Sequence, residues 1–255
     1  MAFRPGALTA ALLGAAILAL NAFDPRPSAA AEPGSAGATQ AVVVELYTSQ
    51  GCSSCPPADA LLGELAMRQD VIALSLHVDL WDYIGWKDTF ASPMTTARQR
   101  AYAQALRARY VYTPQMVIDG RYDVVGSRRN EVRDLIAKAA TEPKPLEIRF
   151  EAENGGRIVI PAGHAPDEGA TIWLAVYDKE HETAVERGEN RGRTLRYHQV
   201  VRELEELGTW QGEETVIPID FAAAAALGRA GCAVIVQRGR AGRILGAAKM
   251  ELAAQ

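Results

Sequence analysis

Two cysteines separated by two residues, Cys52-Ser-Ser-Cys55, constrain the fold of this chain more than any other feature. They stand between a β-branched run over 41–47, which predicts a strand, and Pro56-Pro57, which predicts the start of a helix. The free N–H groups and the dipole of a helix N-terminus favour a thiolate there. We therefore expect Cys52 to be the attacking thiolate and Cys55, one turn further in, to resolve the mixed disulfide.

Composition excludes several classes of protein. The chain has 255 residues, of which 48% are hydrophobic and 23% charged, so it can bury a core without disulfide staples. Its three cysteines are too few for a disulfide scaffold. The net charge of −4 provides no basic surface, so nucleic acid is not an expected partner. The sequence lacks nucleotide-loop, zinc-protease and serine-hydrolase motifs, and we expect no cofactor.

Residues 1–31 have the pattern of a secretory signal peptide. Arg4 precedes an apolar run over 7–20, and three alanines at 29–31 form a small-residue cleavage site. The apolar run is shorter than the roughly 20 residues that span a bilayer, and a retained anchor is the alternative. We expect a linker over 32–40, no membrane span after cleavage, and a periplasmic or secreted location where a disulfide can persist.

The hydrophobic pattern divides the exported part in two. Over 41–141 it predicts strand, helix, strand, helix, two strands and a helix, with Thr113-Pro114 as a candidate cis peptide before the third strand. This is the order of a thioredoxin fold. Over 145–255 short alternating segments separated by glycine-rich turns predict an all-β domain. The predicted fold class is an α/β thioredoxin-like N-terminal domain plus an all-β, sandwich-like C-terminal domain.

Four segments carry a resemblance to a known family. They are Glu45-Leu-Tyr-Thr-Ser-Gln-Gly-Cys-Ser-Ser-Cys-Pro-Pro-Ala-Asp59, His77-Val-Asp79-Leu-Trp81-Asp82, Thr113-Pro-Gln-Met-Val-Ile-Asp119-Gly, and the run over 187–202. The chain resembles the bacterial secreted proteins called the domain of unknown function 1223 family. The resemblance implies a thioredoxin-like fold, export and a thiol site, but no activity has been assigned to the family.

Similarity to thioredoxins also implies a role for Glu45, which lies in the otherwise apolar first strand. It matches the buried acid that accepts a proton from the resolving thiol, here Cys55, and burial would raise its pKa. The alternative is an acid at a strand edge or one paired with an arginine. Pro114, with Thr113, is expected to present backbone to a substrate.

Three residues at the end of the second predicted strand alternate and should lie on one side of it: His77, Asp79 and Trp81. His77 and Asp79 could tune the thiols, or they could order the following insertion through hydrogen bonds. Trp81 and Trp86 could bind substrate in a groove near the cysteines, or they could form the insertion's own small core.

Two features of the second half also have alternative interpretations. Cys232 either packs as a buried inert thiol or serves as a third redox partner. The polar cluster around Glu189-Asn190 and Tyr197-His198 either marks a recognition surface or stabilises a turn through hydrogen bonds.

The predicted function is thiol-disulfide exchange by an exported oxidoreductase that acts through the Cys52–Cys55 disulfide. Its expected partners are protein thiols or disulfides, or a redox donor protein. One alternative is a copper-binding or metallochaperone-like protein, because two thiolates and His77 suit a soft ion; a second cysteine pair is missing, and no metal site is predicted. The other alternative is a redox-inactive thioredoxin-fold adaptor whose disulfide is structural.

Overall fold

The computed structural model describes residues 41–151 and 156–252. The predicted signal peptide and linker, at 1–31 and 32–40, lie outside the described residues. The helices are α1 (Pro56–Ala66), a short 3₁₀ helix (Asp82–Ile84), α2 (Pro93–Ala105), α3 (Arg129–Ala140) and α4 (Phe221–Ala226). Within these described ranges, no helix combines the length and the apolar character that crossing a membrane requires.

The described residues form eleven strands. The strands of the first half are β1 (Val42–Thr48), β2 (Val71–His77), β3 (Gln115–Ile118) and β4 (Tyr122–Val125). The strands of the second half are β5 (Arg149–Glu151), β6 (Arg157–Ile160), β7 (Ala170–Ala184), β8 (Thr194–Trp210), β9 (Thr215–Pro218), β10 (Gly231–Arg238) and β11 (Ile244–Glu251). The elements predicted over 41–141 are thus present in the predicted order, with the short 3₁₀ helix in addition.

Local sequence explains where the helices near the cysteines begin. Pro56 and Pro57 occupy the first turn of α1, where backbone N–H groups have no partner within the helix. Ser92 caps α2, because its hydroxyl accepts a hydrogen bond from the Thr95 N–H at 3.1 Å and the Thr95 hydroxyl accepts one from the Ser92 N–H. Both helices therefore begin directly after the loops that build the candidate site.

Eight strands form one mixed sheet in the order β11-β10-β7-β8-β2-β1-β3-β4. β1 and β2 are parallel, whereas β3 and β4 extend the sheet antiparallel on the other side of β1. β8 lies parallel to β2 through the pair Ser75 and Val200, and it forms a long antiparallel hairpin with β7. A second sheet of three strands has the order β5-β6-β9.

The predicted fold class is wrong. Strands of both halves belong to one eight-stranded mixed sheet, instead of a thioredoxin-like domain beside a separate sandwich. Alternating hydrophobicity shows that a strand is half-buried, but it does not show which strand it pairs with. β7 and β8 have 15 and 17 residues, whereas the sequence predicts only short alternating segments over 145–255. The domain boundaries at 141 and 145 stay a prediction.

The large sheet has a different hydrophobic core on each face. Helices α1 and α3 cover one face, here called the α1 face, and pack on Val44 and Leu46 of β1. Helix α2 covers the opposite face, where Tyr102 packs with Val43 and Leu74. Because side chains alternate along a strand, each residue of β1 and β2 can be assigned to one of these faces.

Candidate functional site

The two cysteines of the C-x-x-C segment form a disulfide at the N-terminus of α1. The Cys52–Cys55 Cα atoms are 5.4 Å apart, and Cys55 is the N-cap residue of the helix. Cys55 is fully buried and Cys52 is 2% exposed, whereas Ser53 and Ser54 between them are exposed. The Ser54 hydroxyl lies 3.5 Å from Cys52 Sγ. The structure therefore contains the predicted disulfide, and both of its cysteines are buried.

A loop from the second half of the chain covers this segment. The buried Asn190 side-chain amide donates to the carbonyl oxygens of Gln50 and Cys52, at 2.9 Å each. The neighbouring Glu189 carboxylate accepts a hydrogen bond from the Ser53 N–H at 3.2 Å, and hydrogen bonding to Ser53 lowers the pKa of Glu189. Glu189 and Asn190, which the sequence analysis noted as polar residues, thus contribute directly to the environment of the disulfide.

The insertion after β2 packs against the other side of the cysteine loop. Trp81 Nε1 donates to the Thr113 hydroxyl at 2.7 Å, and the Thr113-Pro114 peptide is cis, as the sequence suggested. A Cβ atom on Gly51 would lie 2.9 Å from Trp81 Cβ, so only glycine fits before Cys52. The structure therefore places Trp81 against the residue before Cys52, and Thr113 with its cis Pro114 next to Trp81.

Trp86 and Asp79 have structural contacts instead. Trp86 Nε1 donates to Gln50 Oε1 at 2.9 Å, and its ring packs on a small buried cluster that includes Tyr197. The Thr96 hydroxyl of α2 donates to Asp79 at 2.9 Å. Asp79 thus anchors α2 and does not share a side with His77, which is buried on the α1 face.

Glu45 lies on the face of the sheet opposite α1. Its carboxylate accepts two hydrogen bonds from the Arg98 guanidinium, at 2.6 and 3.1 Å, and one from the Tyr102 hydroxyl at 2.5 Å. Both Glu45 and Arg98 are buried. The structure therefore shows Glu45 in a buried ion pair, and it does not bring Glu45 to Cys55.

A buried group of polar side chains lies on the α1 face, and His77 and Tyr197 are the members that the sequence pointed to. Five polar atoms there have no partner in hydrogen-bond geometry among the described residues: Thr48 Oγ1, Asp59 Oδ1, Ser75 Oγ, His77 Nε2 and the Tyr197 hydroxyl. We call these five residues the polar cluster. Native proteins leave few buried polar groups unpaired, so such a concentration beside a disulfide requires an explanation.

Asp88 holds the His77 side of the polar cluster. The Asp88 carboxylate accepts hydrogen bonds from the Gln50 N–H at 2.7 Å and the Phe90 N–H at 2.9 Å, and it lies 2.8 Å from His77 Nδ1. Burial acts to raise the pKa of Asp88, but His77 and these hydrogen bonds hold it below its ordinary value. Asp88 is therefore an ionised carboxylate that accepts a hydrogen bond from the Nδ1–H group of His77.

Cys232, the third cysteine of the chain, is not part of the disulfide. Cys232 is buried in β10 among apolar side chains, and burial raises the pKa of its thiol to about 12. This agrees with an inert packed thiol. Among the described residues, no three His, Cys, Asp or Glu side chains are grouped as a metal site would require.

Comparison with known proteins identifies one family and one similar structure. The family model described as protein of unknown function (DUF1223) matches residues 43–237. The crystal structure of protein AGR_C_4864 from Agrobacterium tumefaciens is 32% identical, with a TM-score of 0.71, and the match covers 84% of this chain and 94% of that one. No curated protein matches.

Proposed function

We propose that this chain, which belongs to the DUF1223 family of proteins of unknown function, exchanges thiols and disulfides through Cys52 and Cys55. The observation that carries the proposal is the disulfide between two cysteines three residues apart, at the start of α1. A thiolate is favoured at that position by the helix dipole, and thiolates are the attacking groups in exchange. The family match confirms the predicted resemblance and adds no activity of its own.

The positions of the two cysteines support separate roles, because Cys55 is the N-cap residue of α1 and Cys52 lies three residues before it. In the reduced protein, the Cys52 thiolate attacks one sulfur of a substrate disulfide, and the other substrate sulfur leaves as a thiolate that takes up a proton. Cys55 then loses its proton and attacks Cys52 Sγ, which forms the internal disulfide and releases the second substrate thiolate. The two protein thiols supply the two electrons that reduce the substrate, and the reverse sequence oxidises a dithiol.

The covering loop and the insertion supply the surroundings for this exchange. Because Cys52 is only 2% exposed, the exchange requires the Glu189-Asn190 loop to move aside. Trp81 lies beside Tyr83, which is 78% exposed, and both suit contact with an extended peptide. The Pro114 carbonyl accepts from the Gly126 N–H, so we assign the backbone contact with substrate to Thr113.

The expected export agrees with this chemistry. An oxidising compartment lets a cysteine pair persist as a disulfide, and a redox donor protein would then return it to the dithiol. Protein thiols and disulfides are the substrates that we propose, with a periplasmic or secreted location.

Equilibration of the native protein with dithiothreitol or glutathione buffers tests the proposal. We expect a reversible transition between disulfide and dithiol, which a gel shift after maleimide labelling measures. In Cys55→Ala we expect a mixed disulfide between Cys52 and partner thiols. Cys232→Ala is the control and should change neither result. If excess dithiothreitol reduces the pair only after denaturation, the disulfide is structural and the proposal is wrong.

A further inference from the structure

The polar cluster lies where strands and helix meet beside the resolving cysteine. Thr48 and His77 are paired across β1 and β2, and Ser75 shares their face because it precedes His77 by two residues. Asp59 enters the same space from α1, and the Tyr197 ring lies 4.6 Å from the His77 ring. Side chains from four elements thus converge on one buried polar space.

A buried polar group that lacks a hydrogen-bond partner is costly. Each unsatisfied buried donor or acceptor costs about 1–3 kcal/mol, and all five residues of the polar cluster are at least nine-tenths buried. A protein that only needed to pack α1 on the sheet could place apolar side chains there, as it does at Leu61 and Leu62. The polar cluster therefore departs from the apolar packing under the rest of α1.

Asp59 is the member closest in sequence to the resolving cysteine. Its N–H donates to the Cys55 carbonyl at 3.1 Å, so the two residues are one helical turn apart. Residues four apart on a helix have Cβ atoms about 5–6 Å from each other on the same face, and both of these are buried. The Asp59 side chain therefore lies on the same face of α1 as Cys55, one helical turn further along.

Burial and the groups around Asp59 place the ionisation of its carboxyl near neutral pH. Burial raises the pKa of Asp59 to about 7, against the lowering effects of His77 and the Thr48 hydroxyl. Two other titratable groups face the same space, Asp88 beyond His77 and Tyr197 from β8. His198 of β8 packs against α1 at Gly63, one turn beyond Asp59.

We infer that Asp59 is the proton acceptor for Cys55 in the resolving step, with His77 and Asp88 as positioning residues; the inference rests on the proposed function. The Asp59 carboxylate takes the proton from Cys55 Sγ. The resulting thiolate attacks Cys52 Sγ of the mixed disulfide, and the electron pair of the broken S–S bond leaves with the substrate sulfur. Asp59 then returns the proton to that leaving thiolate or to solvent.

The Asp88–His77 pair has a defined orientation in this arrangement. Because the Asp88 carboxylate accepts a hydrogen bond from His77 Nδ1–H, the Nε2 atom is the ring nitrogen of His77 that is left without a partner in the polar cluster. Asp88 also holds the Gln50 N–H of the loop that leads to Cys52. The pair thus ties the polar groups under α1 to the cysteine loop.

Stopped-flow reaction of the reduced protein with the aromatic disulfide 5,5′-dithiobis(2-nitrobenzoate) tests the inference. Attack by Cys52 releases the first nitrothiobenzoate anion, and resolution by Cys55 releases the second, so the two steps appear as separate phases. In the wild type, we expect the second-phase rate to rise with pH and to show an inflection near 7. We expect Asp59→Asn to keep the first phase, slow the second about 10²-fold at neutral pH, and lose that inflection.

Glu64→Gln is the matched control, because it also replaces an acid on α1 by its amide, at an exposed position paired with Arg129. It should keep both phases and the inflection. An inflection retained in Asp59→Asn refutes the role of Asp59 and leaves the proposed function standing, whereas a missing first phase in the wild type refutes both. If Asp59→Asn does not fold, the wild type decides alone, because a second phase without an inflection near 7 refutes the inference.

Discussion

Replacement of Asp59 by Asn should stabilise the oxidised protein above neutral pH, although it removes a buried polar contact. Burial raises the pKa of Asp59 from its ordinary 3.8 to about 7. An acid with a raised folded-state pKa takes up a proton on folding between these values, so stability falls as pH rises through that window. Above it, the folded protein bears the full cost of a buried carboxylate.

The size of this cost follows from the two pKa values. Their difference corresponds to about 4 kcal/mol, at about 1.4 kcal/mol for each tenfold change in the ionisation constant. Asparagine keeps the shape and avoids the charge. The expected gain from Asp59→Asn is therefore close to zero near pH 4, where both side chains are neutral, and reaches at most about 4 kcal/mol near pH 8.

Urea denaturation of both proteins at several pH values measures this gain. Glu64→Gln is again the control and should behave in the opposite way. Its hydrogen bond with Arg129 lowers the pKa of Glu64, so that carboxylate stabilises the fold above its ordinary pKa and the contribution is lost as pH falls. A stability difference for Asp59→Asn that does not change with pH, or a loss of stability near pH 8, would refute the reasoning.

Three further changes test other contacts of the site and the sheet. Glu189→Gln removes a negative charge beside the cysteine loop and should lower the pKa of the Cys52 thiol in the reduced protein; an unchanged pH dependence of iodoacetamide alkylation would contradict this. Arg98→Met leaves a buried carboxylate unpaired and should cost about 3–5 kcal/mol in urea denaturation, whereas a loss below about 1 kcal/mol would show that the pair matters little. Gly63→Ala places a methyl group 2.4 Å from His198 and should cost about 1–3 kcal/mol, which His198→Ala should partly restore.

Local sequence signals predicted part of the site well. The cysteine spacing and Pro56-Pro57 together predicted a disulfide at the start of a helix, and a buried thiol was one of the two interpretations of Cys232. Both depend on neighbours in the chain. The candidate cis peptide at Thr113-Pro114 is another local feature, and the structure contains it.

The residues that sequence reasoning missed depend on distant contacts. Asp59 reads as a polar position on a helix surface, and it is buried because β8 packs over α1. Its spacing of four from Cys55 was the one local signal that could have found it. Asp88 stands in an irregular segment without periodicity, and Glu45 was assigned to the cysteines although alternation along β1 places it on the other face. The fold class failed for the same reason, since strand partners far apart in sequence leave no local pattern.

The pairing of β2 with β8 has a consequence for how the protein is assembled after synthesis. Ser75 and Val200 are the residues that join these strands, so the edge of β2 has no partner until much of the second half has been made. Contacts over such a separation form slowly, and an open strand edge meanwhile favours aggregation. If the chain is exported unfolded, the pairing of β2 with β8 would be delayed until the segment that contains Asn190 and Tyr197 has also been exported. Cys52 and Cys55 can oxidise before then, so the disulfide would form first and acquire its buried surroundings last.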